Sequence, residues 1–420
     1  MRTQAHFQIR CIACDKVAPR SFSPFCSECN SMNDVFYDLE TARLRDSENP
    51  YVRFMDLLPV RDPAMLPEEA SYTPCVHAKN LGGKLGLENL YLKDETVNPT
   101  GSTKDRMAAI ALPYLVESGV NSFCTSSTGN SSTAFAMMIR NFPELQMFVF
   151  TAEAWSHRVH YDPEANIVPF VLKGATFVEA FECAGRFAQR HHITSERGFF
   201  NPGRREGLKL AFMEATDQIP GPIDWYVQAV SSAMGVMGTH KAAKELKQLG
   251  HTGRVPSLLC VQQESCSPMA RAFAEGAEAI GSEHVVKQPS GIAEAILRGD
   301  PTRAYPYVRG AALETGGSIA SVSEQEIREA RAMVEEYEGL TPCFSAATAL
   351  AGLAKQVHLG TIDKAATIMV NLTGKDREFQ TPSLQVHTLE RGENDWQPEA
   401  GAPKSTQNVW DTPSLLDKAS

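Results

Sequence analysis

The chain has 420 residues, 43% hydrophobic and 21% charged, which allows a sizeable buried core and two or three domains. Its formal charge of −10 at pH 7 argues against a general nucleic-acid binder, which needs excess Lys and Arg to displace phosphate counterions. No run of about 18 apolar residues occurs and "MRTQAHFQIRCIACDK" lacks the apolar core of a secretory signal, so the expectation is a cytoplasmic enzyme of small molecules without membrane contact.

In chain order, the first feature is a pair of short cysteine motifs. The ten cysteines of a long chain without a secretory signal are expected to be mostly reduced. Four of them, Cys11-x-x-Cys14 and Cys26-x-x-Cys29, present two tight turns with two sulfurs each. Tetrahedral zinc takes such a set, and a closed four-sulfur site has no open position for catalysis. The expectation is a structural zinc in a ribbon-like module over residues 1–45. A ribbon that folds without metal is the alternative.

A linker and arm follow, and from about Leu90 strands and helices alternate. "NLYLKDE" reads as a strand and "DRMAAIALPYLVESG" as a helix ending at Gly119. "SFCTSS" is a strand and "SSTAFAMMIRNF" a helix; "MFVFTA" and "FVLKG" are strands. "FVEAFECAGRFAQRHH" and "REGLKLAFMEATDQ" carry apolar residues at helical spacing. "WYVQAV", "SLLCVQQ" and "ATIMVNLTG" are β-rich runs, with "GTHKAAKELKQLG", "SEQEIREARAMVEEYEG" and "SAATALAGLAKQVH" as helices. This alternation predicts an α/β fold with mainly parallel sheets, whose ligands gather at the carboxyl ends of the strands. The polar stretch 381–420, with Pro and Gly, reads as an extended or poorly ordered tail.

Lys104 follows the turn sequence "NPTGST" and opens a helix. The positive end of the helix dipole disfavours its charged form, and desolvation would lower its pKa further, as suits a covalent-bond-forming lysine. By position alone, a lysine at a helix start is far more often a surface charge. Its company narrows the choice. "SSTGN", Ser126 to Asn130, lies between a strand and a helix, where backbone N–H groups can hold a carboxylate. "SSAMGVMG", Ser231 to Gly238, stands between another strand and helix and can cradle a phosphate with amides and hydroxyls. The histidines of "HRVH" (157–160) and "HH" (191–192) lack the partners of a metal site. The loop holding Ser156, His157 and Arg158 follows a strand and is a candidate for a substrate phosphate.

In order and spacing, "NPTGSTKDR", "SSTGNSS", "NPGRREGLK" and "NLTGKD" resemble the motifs of threonine synthase and its relatives. These are the tryptophan-synthase-β-like, fold type II pyridoxal-phosphate enzymes, and the resemblance runs from about Tyr51 to Gly374. "RREG", "YVQAV" and "PYVRG" are further similar to cysteate synthase. The resemblance implies two αβα domains besides the ribbon: a large cofactor-binding domain over 46–115 and 216–380, and a small one over 116–215. It also implies a homodimer. Lys104 would bind pyridoxal 5'-phosphate covalently and then move protons on the substrate. Asn130 would face the cofactor's 3-hydroxyl, Ser231, Ser232, Ala233, Met234 and Gly235 its phosphate, and Thr373 its ring nitrogen. Ser127, Thr128, Gly129 and Ser131 would hold the substrate carboxylate. Asn201, Arg204, Arg205 and Arg158 would shape the substrate's far end, since arginine can grip a phosphate or sulfonate with two parallel bonds; a helix-start ion pair of the two adjacent arginines with Glu206 or another carboxylate is the alternative.

The chain departs from the family pattern in three places. Its phosphate turn is poor in glycine, "TPCFSAATA" has no acid where relatives commonly carry Glu-Pro, and "TGKDREF" replaces the usual end motif. The implied activity is elimination or replacement on an activated, O-phospho amino acid, as in threonine synthase. A cysteate synthase-like β-replacement on phosphoserine is the alternative, and a cofactor-binding but non-catalytic homologue is the alternative from another class.

Overall fold

The computed structural model describes residues 6–67, 72–158, 161, 166–377 and 384–413. Its strands are β1 (Phe7–Cys11), β2 (Asn33–Tyr37), β3 (Cys75–His77), β4 (Asn89–Asp94), β5 (Ser122–Ser126), β6 (Gln146–Ala152), β7 (Ile167–Leu172), β8 (Thr194–Ser195), β9 (Trp225–Ala229), β10 (Ser257–Gln263), β11 (Ser318–Val322), β12 (Thr367–Leu372), β13 (His387–Arg391) and β14 (Trp396–Pro398). The helices used below are α1 (Lys104–Glu117), α2 (Asn130–Ile139), α3 (Phe177–Arg190), α4 (Pro202–Leu208), α5 (Leu210–Gln218), α6 (Met234–Gln248), α7 (Glu324–Glu338), α8 (Phe344–His358) and α9 (Lys404–Asp411).

Two six-stranded sheets dominate the fold, as the alternation of strands and helices predicts. The large one runs β11-β10-β9-β12-β4-β3 and the small one β14-β13-β7-β6-β5-β8. Within each, every pairing is parallel except the last at one edge, β3 with β4 and β13 with β14. Strands such as "SLLCVQQ" and "QMFVFTA" are buried along almost their whole length, as parallel strands covered by helices on both faces must be. No described helix is long and apolar enough to cross a membrane. The ribbon is a separate antiparallel pair, with Phe7 opposite Tyr37 and Cys11 opposite Asn33.

The run "REGLKLAFMEATDQ" is two helices, α4 and α5, broken at Lys209. Helix α4 lies on α1 at backbone contact. A Cβ on Gly207 would stand 2.3 Å from the Arg106 carbonyl oxygen, and one on Gly203 2.9 Å from the Ala111 Cα. No other residue permits that approach at Gly207.

The C-terminal stretch differs from the expected polar tail. β13 pairs with β7, β14 with β13, and α9 follows. Leu389, Trp396 and Trp410 are buried in one cluster with Phe148, Phe150, Phe170 and Phe187. Trp410 sits 5.2 Å from the ring of Phe187 and 5.7 Å from that of Phe170. Three large apolar side chains, spaced widely among polar ones, complete the small sheet; averaged composition hides them. Residues 378–383 and 414–420 lie outside the described residues, as does His160. His191 stands just past α3 and meets the Trp410 carbonyl oxygen at 3.0 Å.

Trp410→Ala is expected to lower the unfolding free energy by about 3–5 kcal/mol, read by denaturant titration. A change near zero would show that this stretch adds nothing to the core.

Candidate active site

The turn before α1 is tied down from both sides. The Asp105 carboxylate accepts from the Thr100 N–H at 2.7 Å and its hydroxyl at 2.5 Å, closing the "NPTGST" loop onto the helix start. The segment after β12 pairs with that loop: Thr103 N–H donates to the Thr373 carbonyl, Lys375 N–H to that of Gly101, both at 2.9 Å. Lys104 thereby opens α1 facing a cavity shared by both sheets. Ser126, Ser127, Thr128, Asn130 and Ser131 enter it from the end of β5, without Gly129 among them, 231–235 from β9, and Asn371, Thr373 and Gly374 from β12. This is the carboxyl end of the parallel strands, where such sheets bind ligands.

Lys104 is shielded from bulk water. Burial, and then the nearby positive charge of Arg204, pull its pKa down to about 8, so a useful fraction is the nucleophilic neutral amine near neutral pH. No Asp or Glu stands among the described residues that line the cavity, whereas Lys104, Arg204 and Arg298 all do.

The loop 126–131 is built around glycine. Gly129 has φ +125, and a Cβ there would meet the Arg158 Cβ at 2.8 Å. The Ser127 hydroxyl accepts from the N–H groups of Gly129 (3.0 Å) and Ser132 (3.3 Å), fixing the N-terminus of α2. Asn130 accepts at Oδ1 from Arg377 Nη2 at 2.8 Å, which leaves its two amide hydrogens for a ligand. Arg377, part of the divergent "KDREF", was not singled out by sequence; nothing in a basic residue after a turn signals this contact.

Of the predicted substrate residues, Arg204 lines the cavity. It is a buried fork: Nε and Nη2 donate to the two Glu196 oxygens at 2.7 and 2.6 Å, and Nη1 to the Ser131 hydroxyl at 3.2 Å. Arg205 turns the other way, to the Phe199 and Asn33 carbonyls at 2.6 and 2.9 Å and the Asp34 carboxylate at 3.1 Å. Adjacent helix positions point about 100° apart, so the pair cannot share one target. Asn201 caps α4 by accepting from Gly203 N–H at 3.0 Å and is not among the lining residues. Arg158 pairs with Glu294 at 3.0 Å and also stands outside the lining set. Ser127, Thr128, Ser131 and the whole 231–235 turn line it. Residues that sequence reasoning did not single out also line it: Gln228, Phe177, Phe181, Asn371 and Arg298.

Two observations test whether a phosphorylated pyridine cofactor fits. The Thr103 Oγ1, Ser126 Oγ and Asn371 Oδ1 atoms are buried without a hydrogen-bond partner among the described residues, and all three residues face this cavity. Buried polar atoms left unpaired are costly unless a ligand completes them. The 231–235 turn also forms an N-terminal cradle on α6. Ala233 holds a left-handed φ of +63, and Gly235 leaves room for Gln228, whose Oε1 would stand 2.7 Å from a Cβ. The N–H groups there suit an anion. The residues fit.

The family profile described as pyridoxal-phosphate dependent enzyme matches residues 67–374. The chain belongs to that family. Pyridoxal phosphate is therefore its cofactor, and it is an enzyme of the fold type II group. It is similar to a threonine synthase of Methanosarcina acetivorans, 30% identical over 88% of this chain and 91% of that one. It is also similar to a cysteate synthase of Methanosarcina mazei, 28% identical over 88% and 91%. Among solved structures, maize serine racemase matches with a TM-score of 0.59 at 18% identity, over 73% of this chain and 88% of that one; this likeness is one of fold.

Away from the cavity, the four ribbon sulfurs lie within 4.8 Å of one another. Cys11 and Cys29 are 3.4 Å apart, Cys14 and Cys26 3.6 Å. A tetrahedral zinc with bonds of about 2.3 Å sets its sulfurs about 3.8 Å apart. The residues after each motif, Asp15 and Asn30, both take left-handed φ, +58 and +56, and the Ala13 and Glu28 N–H groups each donate to the first sulfur at 3.4 Å. The ribbon fits a structural zinc.

The unloaded protein is expected to capture pyridoxal phosphate faster as pH rises, with an inflection near 8, because only the neutral amine of Lys104 attacks. Stopped-flow absorbance reads this; an inflection above 10 would contradict the burial described. Elemental analysis should find zinc in the wild type and not in Cys11→Ser/Cys14→Ser; equal content would dismiss the metal.

Proposed function

We propose that this enzyme eliminates or replaces the phosphate of an O-phospho amino acid, with O-phosphohomoserine and water giving threonine and phosphate. The observation that carries this reading is the charge of the cavity. Its described lining holds Lys104, Arg204 and Arg298 and no carboxylate; Arg204 is paired with Glu196 behind it, which leaves Arg298 for a second substrate anion beside the cofactor phosphate and substrate carboxylate that the two helix N-termini suit.

When bound, pyridoxal phosphate supplies an electron-accepting ring that makes the substrate's α-hydrogen acidic. Lys104 Nζ takes and returns protons at the substrate's α-carbon and its neighbours, its pKa near 8 suiting both directions. Ser127, Thr128 and Ser131, on the turn that Gly129 makes possible, hold the substrate carboxylate, and Asn130 donates to the cofactor's 3-oxygen. Ser231 to Gly235 hold the cofactor phosphate. Thr373 offers a neutral hydroxyl to the ring nitrogen. Arg204, locked by Glu196 and bonded to Ser131, orients the carboxylate loop and borders the substrate. A β-replacement on phosphoserine is the second reading, favoured by the comparable identity to cysteate synthase.

Phosphate release from O-phosphohomoserine but not O-phosphoserine would support the first reading and the reverse the second; release from neither would overturn both. Lys104→Ala should lower the rate by about 10²–10⁴-fold or more.

A further inference from the structure

Two of the anionic demands on this cavity have separate providers, and one of its cations is already paired. The α2 N-terminus and its serine loop come from the small sheet, the α6 N-terminus from the large sheet, and Arg204 is already forked onto Glu196. Arg298 belongs to none of these groups. It enters the cavity from the segment after the short turn Glu294–Ile296.

That segment is fixed on both sides of Arg298. Ala293 N–H donates to Gln263 Oε1 at 2.8 Å and Ala295 N–H to the Ser345 hydroxyl at 3.0 Å. Val286 N–H donates to the Gly299 carbonyl at 2.9 Å, and a Cβ on Gly299 would stand 1.9 Å from the Val286 oxygen. The guanidinium itself is lightly used. Nε donates to the Asp300 carbonyl at 3.2 Å, while the Asp300 carboxylate accepts instead from Thr302 N–H and hydroxyl, at 3.0 and 2.5 Å. Arg298 has no ion pair with a carboxylate among the described residues. Its Cζ lies 5.8 Å from the Phe177 ring centroid, and burial pulls its pKa down, opposed by the charge of Asp300. Arginine nonetheless stays charged, so the two terminal nitrogens of a half-buried cation have no partner among the described residues.

We propose that Arg298 is a specificity-determining residue that receives the anionic group at the far end of the substrate's side chain. Two parallel N–H groups match two oxygens of a phosphoryl, phosphonyl or sulfonyl group. Phe177 and Phe181 line the cavity beside it, and their apolar surface strengthens a charge-assisted pair there by lowering the local dielectric. The assignment of phosphoryl as that group rests on the reaction proposed above; the cation's role does not.

Calorimetry on the cofactor-loaded protein tests this without turnover. The probes are the phosphonate isosteres of O-phosphoserine and O-phosphohomoserine, in which carbon replaces the bridging oxygen, and uncharged amino acids of equal length. The wild type should bind at least one isostere about tenfold or more tighter than its uncharged counterpart, the scale of a charge-assisted hydrogen-bond pair. Arg298→Gln should erase that preference and leave the uncharged ligand's affinity within about twofold. Arg298→Lys, with charge but no fork, should retain part of it, and decides the matter if Arg298→Gln does not fold. A wild type without preference, an unchanged preference in both variants, or equal weakening of charged and uncharged ligands would overturn the assignment. Preference for an isostere with phosphate released from neither substrate would sink the proposed reaction and leave Arg298 standing. Phosphate release with a preference indifferent to Arg298→Gln would do the opposite.

Discussion

Everything at the site depends on where α1 begins, and that is set by Arg106, two residues beyond Lys104. Arg106 is fully buried; its Nε reaches both Glu95 oxygens at 3.1 and 2.9 Å, and its Nη2 meets the Thr73 hydroxyl at 2.7 Å and the Glu214 carboxylate. Lys93 joins the same Glu214 at 2.9 Å. Burial by itself would raise the Glu95 carboxyl, but Arg106 and Lys93 hold it down to about 2. A network of this kind gains little over a well-packed apolar core, yet removing one partner costs about 3–5 kcal/mol. Any slide of α1 along β4 or α5 would strand buried charges. Lys104 is therefore over-determined in position while remaining free of any ion pair of its own among the described residues.

Helix α4 passes that constraint outward. Gly203 and Gly207 seat it on α1, Arg204 faces the cavity, and Arg205 grips the ribbon through Asn33 and Asp34. Glu206 completes the ribbon contact: it accepts from the Tyr37 hydroxyl at 2.6 Å and pairs with Lys209 and Lys241 at 2.5 and 2.7 Å. One short helix thus couples a cysteine-rich module to a wall of the active site. The ribbon is remote from the chemistry but not from the residues that shape it.

The parallel sheets, the lysine helix and the small-residue turns were legible in the sequence because strand and helix periods, and the residues that punctuate them, are local properties. The division of labour between Arg204 and Arg205 was not, since it is decided by what lies opposite each helix face. Three aromatic and aliphatic anchors in the C-terminal stretch were lost in its polar average, although each buries a full side chain. Arg298 carried no signal because its significance is an absence: a carboxylate that might have paired with it stands elsewhere, and only the fold shows that. The cysteine spacing was readable from the start; the matched left-handed residues after each pair, Asp15 and Asn30, show why both turns close alike.

The departures from the family pattern acquire a common sense in charge and shape. At the phosphate turn, Ala233 takes the left-handed conformation that glycine would adopt freely, at a cost of about 1–2 kcal/mol, and Gln228 packs against Gly235. Behind that turn the Tyr226 hydroxyl donates to Gln228 at 2.5 Å and accepts from Asn371 at 2.9 Å, so a polar relay supports the cradle from the sheet side. Cys343 lines the cavity, and burial raises its thiol pKa, keeping it neutral. A carboxylate there would offset the charge of Arg298 in a low-dielectric space, where each unit of charge counts for more than in water. A neutral residue at 343 and a guanidinium at 298 without a carboxylate partner among the described residues both leave the cavity lining without negative charge of its own.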